Sequence, residues 1–162
     1  MFTVYGHTQQ IKDGFKGFEW DTDILAMKDT FGLYLTDSLT QLSDTSNYEK
    51  DYSTNINKIG SAAVICEFTF YKNKFYSVCL RAEGYDNFKK LKAAMDEAYE
   101  KGGQLNPYID KYYYNKVGTI TSRVLEYSKI NNRTTILMWS RKILEEKKKD
   151  DKEKAKKDKN DF

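Results

Sequence analysis

The sequence predicts an α+β fold, a two-layer domain in which a largely antiparallel sheet of about five to six strands is packed by two helices. Three observations point there. Tyr and Phe, with 13 and 9 copies, supply an unusual share of the apolar surface, and such rings fit a pleated, half-buried sheet better than a helical bundle. Two segments carry apolar residues at helical spacing. The remaining apolar segments alternate and are separated by short polar breaks, which favours antiparallel neighbours.

The first helix is predicted within Trp20–Phe31. Ile24, Met27 and Phe31 fall on one helical face, Asp21 or Thr22 can cap the first turn, Asp23 suits the positive end of the dipole, and Gly32 stops the run. The second follows Gly84-Tyr85. Asp86 is a natural N-cap, Phe88, Leu91, Met95 and Ala98 form the buried stripe, and Gly102-Gly103 with Pro107 close it.

Strands fill the rest. The best hairpin joins Ala63–Tyr71 to Phe75–Arg81, with Cys66, Phe68 and Phe70 facing the core. A two-residue loop, Lys72-Asn73, places Cys66 opposite Cys79. A three-residue loop places Cys66 opposite Leu80, aligns Phe68 with Val78 and Phe70 with Tyr76, and is favoured, so no Cys66–Cys79 disulfide is expected. Further strands are predicted at Ile109–Asn115, Thr119–Ser128 and Thr134–Lys142, and weaker ones at Leu33–Leu35 and Tyr48–Ser53. The order is helix, strands, helix, strands, which suggests a helix-plus-meander unit used twice.

Residues 15–142 form the single domain of this reading, after a flexible segment 1–14 and before a charged tail 143–162, either a helical extension or disordered. The stretch from Arg141 to Phe162 holds ten Lys or Arg against seven Asp or Glu, which accounts for the whole net charge of +3. The neutral body has no surplus to spend on phosphate, so no nucleic acid is expected as partner. No run of apolar residues reaches the ~18 to 20 needed for a membrane span.

The search for chemistry yields little. His7 is the single histidine, the two cysteines are thirteen positions apart, and nucleotide, metal and calcium loops are absent, so neither a cofactor nor catalysis is expected. Asp21 and Asp23 read as caps. What stands out is an aromatic and arginine set in the last two strands. Ile120 and Val124 on one strand, and Ile136 and Met138 on the next, read as core. Arg123, Leu125 and Tyr127 then share the opposite face with Leu137, Trp139 and Arg141. Arg123, Tyr127, Trp139 and Arg141 are the candidate binding residues, because aromatics with arginine are enriched at binding hot spots.

The segment Gly17-Phe18-Glu19-Trp20-Asp21-Thr22-Asp23 resembles the opening of a group of uncharacterised bacterial exported, lipoprotein-like proteins that share a G-x-x-W-x-T pattern. Lys58-Ile59-Gly60 and the hairpin tip Phe70–Tyr76, leading to Asn87-Phe88, resemble the same group. The order of elements is also similar to β-lactamase-inhibitor-like proteins. That resemblance implies a periplasmic or extracellular protein-binding domain, with a cytoplasmic location as the alternative, and it carries over no functional residue. The expectation is a non-enzymatic interaction domain with a protein partner or self-association. A small-molecule or lipid carrier with an aromatic-lined pocket between sheet and helices is the second reading.

Overall fold

The computed structural model describes residues 13–36, 49–115 and 118–160. Of the N-terminal segment expected to be flexible, 1–12 with His7 lies outside these residues. Asp13 and Gly14 are tied in: the Asp13 carbonyl accepts the Trp20 N–H at 3.0 Å, and Gly14 belongs to the first strand.

Fourteen elements follow among the described residues. They are β1 (Gly14–Phe15), β2 (Phe18–Glu19), α1 (Ile24–Phe31), β3 (Tyr34–Leu35), β4 (Glu49–Ser53), β5 (Lys58–Ile59), β6 (Ala62–Ala63), β7 (Ile65–Tyr71), β8 (Lys74–Glu83), α2 (Tyr85–Tyr99), β9 (Lys111–Tyr113), β10 (Thr121–Ser128), β11 (Arg133–Ser140) and α3 (Arg141–Asn160). The fold is α+β. Seven strands form one antiparallel sheet in the order β3-β4-β7-β8-β11-β10-β9, and β1-β2 and β5-β6 are separate small hairpins.

Local chemistry accounts for the differences from expectation. In α1 the cap is Asp23, whose carboxylate accepts the Leu25 N–H at 3.0 Å. Asp21 and Thr22 are not available for capping, because their backbones pair with Phe75 at the end of the main hairpin. Gly32 ends α1 as expected, at φ 54°. In α2, Gly84 at φ 83° occupies the cap position and Asp86 sits in the first turn, 2.8 Å from Lys89. The helix ends at Tyr99, with Glu100 at φ 66°, before the glycines are reached.

The β7–β8 hairpin combines both registers. Its loop is the two-residue one, Lys72-Asn73, with φ of 51° and 63°, the mirror-image turn that matches strand twist. An irregularity beside Thr69/Phe70 then absorbs one residue of β8. Phe70 therefore faces Phe75 rather than Tyr76, while Phe68 faces Val78 and Cys66 faces Leu80. Cys66 is buried, Cys79 faces the other side, and both thiols are free.

α1 and α2 cover one face of the sheet. Phe31 of α1 meets Phe68 edge-on at 5.0 Å, and Phe88 of α2 stacks on Tyr127 at 5.3 Å. Phe15, Trp20, Phe68, Phe70 and Phe75 interlock between them, with Trp20 4.9 Å from Phe75. The Trp20 indole N–H donates to Thr121 Oγ1 at 2.7 Å, tying the N-terminal hairpin to β10. Burial of this many rings is the main favourable term of the fold.

The charged tail is helical in the described residues. α3 begins at Arg141, which the expected last strand had included, and its Ile143 is buried in the core. Lys147 pairs with Glu49, and Asp150 accepts the Tyr71 hydroxyl at 2.7 Å. Glu49 and Tyr71 alternate with Lys50 and Phe70, so α3 is held against the β4–β7 side of the face opposite α1 and α2.

Candidate functional site: the open face of the sheet

Pairing of β10 with β11 decides which side chains share a face. Arg123 lies opposite Met138, Leu125 opposite Ile136, and Tyr127 opposite Thr134. Met138 and Ile136 are core, as expected, so Arg123, Leu125 and Tyr127 face the helices. The face assignment of β10 is therefore the reverse of the expected one: a one-residue change of phase moves every side chain of a strand across the sheet.

The four candidate residues are accordingly not brought together. Arg123 is fully buried beneath α2, with its guanidinium 4.2 Å from the Tyr99 ring centroid. Tyr127 packs against Phe88 and Tyr85 at the start of α2, and its hydroxyl donates to Asn132 Oδ1 at 2.9 Å. Arg141 opens α3, where its N–H and guanidinium bond the Ile120 and Thr119 carbonyls. Trp139 alone points from the open face.

Around Trp139 that face keeps Leu137, as expected, and adds Val124, which was expected in the core, and residues of β9, β10 and β11 not expected there. Lys111 and Tyr113 of β9, Val124 and Glu126 of β10, and Thr135, Leu137 and Trp139 of β11 line a shallow depression of about 270 Å³. Its centre is apolar, and Leu137 is 40% exposed. Its charges are matched within the chain: Lys111 pairs with Glu126 at 2.8 Å, and further along the same face Arg81 pairs with Glu67. Cys79 sits between Glu67 and Leu137 in the sheet. Burial raises its thiol above the ordinary value, against the pull of nearby Arg81.

On the helix side, Asp96 forms a second polar knot. Burial pushes its carboxyl upward, but Lys92 at 2.6 Å, the Tyr114 hydroxyl at 2.9 Å and the Gly102 N–H at 3.2 Å all donate to it and hold it below the usual carboxylate range. No group of three or more His, Cys, Asp or Glu able to hold a metal occurs among the described residues. No described helix is long and apolar enough to cross a membrane.

Comparison with family models, with curated proteins and with solved structures finds no match to this chain.

Proposed function

We propose that the protein is a non-enzymatic interaction domain that binds a protein partner through the open face of β9, β10 and β11. The observation that carries this reading is the apolar patch of Tyr113, Val124, Leu137 and Trp139, held on three rigid strands with its neighbouring charges already paired. A Trp and a Tyr beside aliphatic side chains is the composition of an interface centre. The depression is shallow, which suits the flat surface of a protein better than the deep enclosure a small ligand needs.

Two expectations from the sequence accompany the proposal. Residues Gly17–Thr22 support membership of an exported, lipoprotein-like group, and with it a periplasmic or extracellular location. The meeting of two meanders at the β8–β11 seam supports a helix-plus-meander unit used twice.

Photo-crosslinking from position 135, with identification of the adduct, tests the surface when combined with a Leu137→Lys variant. An Ile130→Lys variant in the exposed β10–β11 turn serves as control. The expected result is one adduct, kept by Ile130→Lys and lost by a folded Leu137→Lys protein. Equal recovery from both variants, or no protein adduct in the native extract, removes the face from consideration.

A further inference from the structure

Among the described residues, the buried side-chain nitrogen and oxygen atoms without a hydrogen-bond partner are Nε, Nη1 and Nη2 of Arg123 and Oγ1 of Thr134. A guanidinium with every nitrogen desolvated and unbonded is the costliest kind of buried group, and a native fold rarely keeps one without an ion or water to answer it.

The surroundings compensate only in part. Tyr99, the last residue of α2, stacks on the guanidinium with the carbon 4.2 Å from its ring centroid. The negative end of that helix adds a favourable partial charge. Both act without occupying an N–H group, since the ring covers a face of the plane and the five N–H groups lie along its edges. The acids tied to neighbouring positions are committed elsewhere. Asp96 receives Lys92, Tyr114 and Gly102, and Asp13 Oδ1 receives the Thr121 hydroxyl and the Ile120 N–H.

We infer that Arg123 anchors a binding site for a small carboxylate between the sheet and the C-terminal end of α2. The carboxylate takes the edge of the guanidinium in the two-point geometry that planar fork matches. The apolar body of the ligand lies against Tyr99 and against Met95, one turn earlier on the buried stripe of α2. One guanidinium without a counter-charge balances a monoanion and leaves a dianion such as phosphate uncompensated. Access lies beside Tyr99, which is half-buried. The segment 100–110 that follows it is almost entirely exposed and is joined to the sheet at Gly103–Tyr113. Arg123 and Trp139 point to opposite faces, so this site and the proposed interaction surface stand or fall separately.

The test is thermal unfolding and native mass spectrometry of the full chain with sodium acetate, sodium benzoate, sodium phosphate and sodium chloride at matched ionic strength. It is run on the wild type and on Arg123→Met, which keeps the stem and removes the charge. The expected result is a saturable rise in Tm with acetate or benzoate, a one-to-one benzoate adduct in the wild type, and loss of both in Arg123→Met. Should that variant fail to fold, the Arg123 Nε–H signal in NMR of the wild type decides, because it shifts and exchanges more slowly as benzoate is added. Equal responses to all four salts, an unmoved Nε–H, or a response to phosphate alone overturns the inference.

Discussion

The Tyr76 hydroxyl donates a 2.6 Å hydrogen bond to Oε1 of Glu49, joining β8 to β4 across the intervening strand β7. Glu49 also receives Lys147 of α3, so one carboxylate links two strands of the sheet to the last helix. Tyr76 reaches it because the β7–β8 irregularity shifts the phase of β8 at this point. Removing the hydroxyl leaves Glu49 short of a donor in a partly buried place. Tyr76→Phe is expected to destabilise the protein by about 1 to 1.5 kcal/mol. Urea denaturation with an unchanged slope checks it, and an unshifted midpoint excludes a role for this bond.

Stability is also expected to fall at alkaline pH. Burial pushes the Cys66 thiol up to about 12, from an ordinary value near 9.0. Burial first, and then the Asp96 carboxylate, raise the Tyr114 hydroxyl above its ordinary 10.0; burial and Glu49 do the same to Tyr76. Below pH 9 these groups are protonated in folded and unfolded chains alike, and their contribution is fully present. Above it the unfolded chain releases its protons while the folded chain keeps them, so stability is lost as pH rises toward the folded values. Cys66 alone accounts for about 2 kcal/mol between pH 7 and 10.5. Urea midpoints at the two pH values should show a drop that shrinks in Cys66→Val; a flat profile between pH 7 and 10.5 contradicts it.

Much of this architecture is legible in the sequence, and the exceptions have identifiable causes. Strands Tyr34–Leu35 and Glu49–Ser53 fall within the segments read as weak strands, and the Phe88/Leu91/Met95 stripe is buried as its spacing implies. β10 fails for an instructive reason. Taking Ile120 and Val124 as core reverses the phase of the whole strand, although the set that holds Val124, with Ser122, Glu126 and Ser128, is the more polar of the two. Leu125 two places from Tyr127 carries the correct phase, whereas Ile120 lies before the strand begins and does not report on it. α3 was legible as a helix or a disordered tail but not as a docked one. Its single buried apolar residue is Ile143, and its contacts to Glu49 and Tyr71 depend on partners about 80 to 100 positions away, which no local pattern carries.

Gly102 gives the sharpest steric prediction. A Cβ built there stands 2.6 Å from Cζ of Tyr114, whose ring is buried and whose hydroxyl bonds Asp96. Gly102 also donates its own N–H to Asp96, so backbone and ring meet on the same carboxylate and neither can retreat without loosening it. Gly102→Ala is expected to cost about 1 to 3 kcal/mol, the range of overpacking in a filled interior. Because the clash is with the ring, the cost should largely vanish when the substitution is made on a Tyr114→Ala background, a coupling that a double-mutant cycle measures directly. Additive losses in that cycle mean that Gly102 acts through its backbone alone, and the proposed contact with Tyr114 is then not what limits this position.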